Sequence, residues 1–236
     1  MTVGSSRGLV GEVAATVGRR ITTGAITPGS LVDPEALARE FGSSRTVVRE
    51  ALKVVAAKGL IESRPHAGTR VRPRRDWRLT DPEVMAWRTA GGADVRLVAE
   101  IDEVRSAIEP LGARLAARRA DRDAVARIRS AMDRLRAAGS HPGSPDWVAA
   151  DLELHRTILH AAGNELLASL EGLLEPALQA RDQLVGATGD PEGAIDAHEA
   201  VVVAIERRRP QAAGRAMRQL IATAAAESTA VIAAWR

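Results

Sequence analysis

Asp151 and His155 stand four residues apart in a stretch with helical spacing, so carboxylate and imidazole share one helix face. Their neighbours on that face are Trp147, Leu154, Ile158 and Ala162, which makes it the apolar side. A carboxylate buried there without a partner is costly, so something must compensate it. His198 sits in the same way among Ala194, Ile195, Val201, Val202 and Ile205. Asp at i, His at i+4 and a second His from another helix form a plausible ligand set for Zn²⁺, Ni²⁺ or Mn²⁺. A buried Asp–His hydrogen bond with no metal uses the same residues, and spacing alone favours that plainer reading.

Two arginines are candidates for holding a small carboxylate effector. Arg105 lies beside Val98, Ile101, Gly112 and Ala116, with Glu109 one turn on. It is either half of an i,i+4 ion pair or an inward cation that takes a carboxylate in a two-pronged hydrogen bond. Arg215 lies near a face carrying Ala212, Ala216, Gln219 and Thr223. Small residues beside polar ones suit a cavity wall and a close helix contact equally well.

A third constellation is basic. In the run from Arg45 to Lys58, Val48, Ala51, Leu52 and Val55 form one narrow stripe that must face a core, while Thr46, Arg49 and Lys53 gather opposite, with Arg45 at the N-terminal rim. Arg can fork onto guanine edges in a major groove, and Thr or Lys can reach phosphates or bases. The alternative is an ordinary solvated face. The tight turn before this helix and the hairpin after it favour DNA.

The elements that position these residues follow from punctuation and periodicity. Leu9 to Thr23 has helical spacing and is stopped by Gly24, with a Pro28-Gly29 turn beyond. A second helix opens with Asp33 as N-cap and Pro34 at its first position and ends at Phe41-Gly42. Ser43 and Ser44 offer caps for the third, which Gly59 terminates. Short strands over 60–64 and 69–72 flank a turn containing Pro65, His66, Ala67 and Gly68. Residues 1–75 thus read as a winged helix-turn-helix and 76–93 as a linker with one short helix. Residues 94–236 read as an all-helical bundle of six to seven helices, near 94–119, 121–138, 145–162, 164–186, 191–207 and 209–234.

Composition agrees with this division. Residues 1–75 hold 13 Arg/Lys and 6 Asp/Glu, a balance of +7; residues 76–236 hold 20 and 24, a balance of −4. A basic module joined to a mildly acidic one suggests that polyanions bind at one end. Cysteine is absent, which excludes disulfides, thiolate metal sites and a Cys nucleophile. With 45% apolar but only 2% aromatic residues, the core must be Leu, Val, Ile and Ala. No signal pattern opens the chain and no apolar run approaches membrane-spanning length, so a cytoplasmic protein without a membrane partner is expected.

The segment Phe41-Gly42-Ser43-Ser44-Arg45-Thr46-Val47-Val48-Arg49-Glu50-Ala51-Leu52 closely resembles the helix-turn-helix signature of the GntR superfamily. Pro28-Gly29, Gly59-Leu60-Ile61 and Gly68-Thr69-Arg70-Val71 stand where that superfamily has them. The resemblance implies a transcription regulator that binds a double-stranded operator as a homodimer and is not an enzyme. In the family the residues matching Arg45, Thr46 and Arg49 contact the operator and the wing tip, here His66 to Gly68, enters the minor groove; Ser44 and Lys53, on the same helix, complete the candidate DNA-binding set. His66 reads equally well as a tolerated turn residue, and Gly68 supplies the backbone freedom a tight wing tip needs. At Ala36, where some relatives grip a phosphate with Arg, that contact is lacking. Asp151-Leu152-Glu153-Leu154-His155 with Ala161-Ala162-Gly163-Asn164, and Ala197-His198-Glu199-Ala200-Val201-Val202, resemble the FCD effector domain of the FadR-type branch. There the matching Asp and two His bind a divalent metal, and a third His completes the set. That position here is read as Gln219, a weaker ligand. The resemblance likewise turns Arg105 towards the effector cavity. The stretch from Leu79 to Trp87 resembles regulators of sugar-acid catabolism, galactonate-operon repressors among them, which implies a sugar acid or similar carboxylate as effector. The rival class, a metal-dependent hydrolase with a DNA-binding appendage, needs a general base near the metal. Glu153 and Glu199 both point off the ligand faces.

Overall fold

The computed structural model describes residues 3–64, 67–90, 95–139, 141, 143–170, 175, 178–179 and 190–234. They form two compact units, residues 1–91 and 92–236.

In the first unit α1 (Val3–Thr22) buries Val13, Ala14, Val17 and Ile21 against α3 (Arg45–Ala57), whose buried stripe is Val48, Ala51, Leu52 and Val55 as the wheel requires. Between them lies α2 (Pro34–Glu40), capped by Asp33, whose Oδ1 accepts the Glu35 amide at 2.8 Å. The wing is β2 (Ile61–Arg64) against β3 (Gly68–Val71), antiparallel with Arg64 opposite Gly68. A third strand the sequence did not announce, β1 (Leu31–Val32), pairs with the other edge of β3, giving the order β1-β3-β2. At two residues it carries almost no periodicity to detect.

The stretch expected to be a linker folds into this first unit as far as it is described, to residue 90. Trp77 and, from α4 (Pro82–Thr89), Val84 and Trp87 join the core of α1 and α3. Gly18 makes room for this: a Cβ there would overlap the Trp87 ring. Lys58, buried at the end of α3, holds α4 by ion pairs to Asp81 (2.8 Å) and Glu83 (2.5 Å), and its Nζ lies 5.6 Å from the Trp87 ring centroid. Gly59, at φ +76°, is fixed twice over, because a Cβ would also stand 2.6 Å from the Asp76 carbonyl oxygen.

The second unit contains α5 (Val95–Arg119), α6 (Arg122–Ala137), α7 (Pro145–Ala161), α8 (Glu165–Ser169), α9 (Pro191–Glu206) and α10 (Pro210–Ala234). Of the helix expected over 164–186, α8 is its first part, and most of the remainder lies outside the described residues. The core is aliphatic and alanine-rich, from Ala113, Ala116, Ile128, Met132, Leu135, Leu154, Ile158, Val202, Ile205 and Met217. Small residues let helices approach closely. A Cβ on Gly112 of α5 would lie 2.7 Å from Leu159 Cδ2 of α7, and one on Gly214 of α10 would lie 3.1 Å from the Pro110 carbonyl oxygen of α5. Among the described residues no helix is long and apolar enough to cross a membrane.

Gly18→Ala tests the packing of α4 on α1. Helix propensity alone would stabilise the variant by about 0.5–1 kcal/mol, but overpacking against Trp87 costs about 1–3 kcal/mol. A net loss near 1–2 kcal/mol in urea denaturation is expected; a variant as stable as the parent would disprove the contact.

Candidate functional site

The second unit buries a chain of polar groups inside its aliphatic core. Arg105 and Glu109, 2% and 1% exposed, face inward one turn apart on α5, and Arg105 Nε donates to Glu109 Oε1 at 2.6 Å. Glu109 Oε2 meets His155 Nδ1 of α7 at 2.5 Å. The close passage of Gly112 beside Leu159 lies one helical turn further along each helix and lets the carboxylate reach the ring. His155 Nε2 lies 3.3 Å from His198 Nε2 of α9 and 3.8 Å from Asp151 Oδ2. His198 Nε2 is 2.9 Å from Asp151 Oδ1, and its Nδ1 is 2.7 Å from the Ala194 carbonyl oxygen.

Proton placement follows from the partners. A carbonyl only accepts, so His198 Nδ1 carries a hydrogen, and the Glu109 carboxylate requires the same of His155 Nδ1. In neutral rings both Nε2 atoms then present lone pairs to each other and to the Asp151 carboxylate. Three acceptors within 4 Å repel unless positive charge lies between them, as a proton that makes an imidazolium or as a metal ion. Metal bonds of about 2.0–2.2 Å in tetrahedral array place ligand atoms roughly 3.3–3.5 Å apart, and the three separations here straddle that range. The donor set fits a borderline divalent ion such as Zn²⁺ or Ni²⁺.

Electrostatics point the same way. Burial pushes the Glu109 carboxyl up, but the Arg105 guanidinium and His155 outweigh it and hold the group at about 2. Asp151 is likewise held well below the ordinary carboxylate range, burial being overcome by His155 and His198. His155 is desolvated, which disfavours its charge, yet Glu109 and Asp151 raise its pKa.

The residues expected on α10 do not join this centre. Gln219 and Arg215 are exposed, because the inward stripe of α10 is Ala213, Met217, Leu220 and Ile221. At this level Leu220 points inward, and it has no ligand atom. The face of Ala212, Ala216 and Thr223 is not a cavity wall: the two alanines pack partly buried against the core and Thr223 is exposed. Instead, a cavity of about 450 Å³ borders His155 and Glu109, lined also by Val148, Leu152, Leu159 and Leu178. Glu109 escaped detection as a partner of His155 because its one sequence signal, Arg105 four residues earlier, explained it within its own helix.

Glu199, next to His198, and Glu153, between Asp151 and His155, are held in ion pairs away from the three ligand atoms, although Glu153 also lines that cavity. Glu153 takes both prongs of Arg134, and Glu199 is shared by Arg129 and Arg136. Arg129 also forks onto Glu206, tying α6 to α9.

On the first unit Arg45, Thr46, Arg49 and Lys53 lie exposed along α3. Ser44 caps the helix, its Oγ accepting the Val47 amide at 3.3 Å. Arg45 pairs with Glu35 at 3.1 Å and Lys53 with Glu50 at 2.8 Å, both in solvent, where such pairs hold a side chain weakly. Arg49 has no ion-pair partner among the described residues. At the wing Gly68 turns with φ +74°, and Ser63 and Thr69 hydrogen-bond across the hairpin at 2.8 Å; His66 lies outside the described residues.

Comparison with known proteins places these features. Residues 9–71 match the family described as "Bacterial regulatory proteins, gntR family", and residues 100–223 match the FCD domain. The chain is 32% identical over 90% of its length to the galactonate operon transcriptional repressor of Escherichia coli K12, covering 93% of that protein. It is 28% identical to a Paenarthrobacter nicotinovorans protein named "Probable D-xylose utilization operon transcriptional repressor", over 86% of this chain and 80% of that one. Its fold is similar to the solved structure of Lar of Listeria monocytogenes, with a TM-score of 0.62 at 15% identity, covering 93% and 95% of the two chains.

Removing one partner of a buried ion pair costs about 3–5 kcal/mol, so Arg105→Ala should destabilise the protein by that order at pH 7. Glu109, near 2 when folded against an ordinary 4.5, contributes stability present above about 4.5 and lost as pH falls towards 2. Denaturation between pH 2 and 7 should show that window in the parent and a smaller one in Arg105→Ala. Equal acid profiles would mean that Arg105 does not hold Glu109 ionised.

Proposed function

We propose, starting from the fact that the chain belongs to the GntR family of bacterial regulatory proteins in its FadR-type, FCD-domain branch, that it is a repressor whose operator binding is controlled by a small carboxylate held at a metal centre. The observation that carries this reading is the convergence of Asp151, His155 and His198 with both Nδ1 hydrogens already committed. A divalent ion there would be held by these three side chains and would supply Lewis acidity and charge for an anionic ligand.

Charge decides what such a centre accepts. With neutral imidazoles, two carboxylates (Asp151 and Glu109) face one guanidinium (Arg105), leaving one net negative charge that repels a carboxylate, and one imidazolium brings the sum only to zero. A divalent ion reverses the sign. Because α10 supplies no donor at Gln219, three protein ligands leave coordination positions open for the effector. The adjoining cavity is of a size that suits a small molecule. The name of one relative, tied to a galactonate operon, supports a sugar acid as its class, while that of another is tied to the neutral sugar D-xylose. Arg105 contributes its charge from behind Glu109 rather than as a free two-pronged clamp.

On the DNA side, Arg49 is the exposed candidate for a forked base contact, with Arg45, Thr46 and Lys53 beside it and the wing tip at Gly68. One such module buries too little surface for operator affinity, so a homodimer on a near-palindromic site in the cytoplasm is proposed. The protein is a transcription regulator and not an enzyme.

Arg49→Ala should weaken specific operator binding by about 1–3 kcal/mol and leave the melting temperature unchanged. Gel-shift titration with parent-like affinity would remove the recognition-helix assignment. Light scattering should give a dimer, and a monomer both free and on DNA would refute the assembly. Calorimetry against sugar acids should show saturable binding to the zinc-loaded protein and none after chelation. The bound compound should shift operator affinity by about 1–3 kcal/mol, with the reciprocal effect of DNA on effector affinity. Equal binding to the chelated protein would sink the metal's role.

A further inference from the structure

The FCD centre has a fourth polar participant that ligates nothing. We propose that Glu109 is a positioning residue that sets the tautomer and orientation of His155 for metal binding, itself locked by Arg105. The inference rests on the metal reading above.

Three observations carry it. First, Glu109 divides its two oxygens: Oε1 receives Arg105 Nε at 2.6 Å and Oε2 receives His155 Nδ1 at 2.5 Å, so the carboxylate cannot rotate without breaking both contacts. Second, the arrangement is fully buried, at 2% exposure for Arg105 and 1% for Glu109. A buried ion pair is weak as a source of stability, since apolar residues of like volume commonly serve as well; its geometric effect is to fix one ring nitrogen. Third, the two histidines are unequal. His198 gives its Nδ1 hydrogen to the neutral carbonyl of Ala194, whereas His155 gives its own to a charged carboxylate. A carboxylate behind an imidazole raises the basicity of the opposite nitrogen and strengthens the metal bond it makes. His155 is therefore the stronger of the two imidazole ligands, and α5 shapes the centre without entering its coordination sphere.

The test uses the full-length protein with zinc as probe. Competition with a chromophoric chelator should give stoichiometric zinc binding in the parent, and a loss of about 10–100-fold in affinity for Glu109→Gln. Because that variant leaves Arg105 buried without its carboxylate, the double variant Arg105→Met, Glu109→Gln is measured beside it and should show the same loss. Long-range ¹H–¹⁵N spectra of the histidines in the parent supply a readout that a merely structural role would not move. His155 should carry its hydrogen on Nδ1 with and without zinc, and that preference should weaken in both variants. Unchanged zinc affinity in a folded variant, or an Nε2–H tautomer of His155 in the metal-free parent, overturns the role of Glu109. A parent that takes up no zinc overturns the metal reading instead, and the tautomer then still decides whether Glu109 sets the ring.

Discussion

Burying charge in an aliphatic bundle is the constraint on which the second unit turns. Arg105, Glu109, His155, Asp151 and His198 come from α5, α7 and α9, and none could be buried alone at tolerable cost. Each is compensated by the next, so the centre is a single chain of contacts rather than a set of independent residues. That is why ions and hydrogen bonds arranged for a ligand coexist with a core that, Trp147 apart, is built from alanine, leucine, isoleucine, valine and methionine.

Close packing makes the chain possible. Contacts below 4 Å between groups on three helices require short interaxial distances, and an aromatic-rich core would hold the helices apart. Gly112 against Leu159 brings α5 to α7 one turn beyond Glu109 and His155, and Gly214 against Pro110 and Arg114 brings α10 to α5. A glycine within a helix costs about 0.5–1 kcal/mol relative to alanine, a loss accepted here for approach. The outer ion pairs of Arg129 and Arg136 with Glu199, and of Arg129 with Glu206, then keep α9 in register with α6, and so keep His198 facing its partners.

The first unit solves a different problem. Its exposed basic groups must be free to meet phosphate and bases, so rigidity has to come from behind them. The buried stripe of α3, strand β3 paired to both β1 and β2, and the Lys58 ion pairs with Asp81 and Glu83 supply it without using Arg49 or Thr46.

What was legible in the sequence is what depends on local order. Periodicity marked the stripe of α3 and the inward faces carrying Asp151, His155 and His198, and Asp33, Pro34 and Gly59 marked the start of α2 and the end of α3, because caps and wheels are properties of consecutive residues. The face of α10 was legible in principle, yet Gln219 was assigned by motif; its wheel sets it opposite Met217 and beside Leu220, and only packing showed which of the two turns inward. The docking of Trp87 on Gly18 and the contact of Glu109 with His155 could not be read at all. Partners 69 and 46 residues apart have no sequence spacing in common, and their meeting is decided by how helices pack.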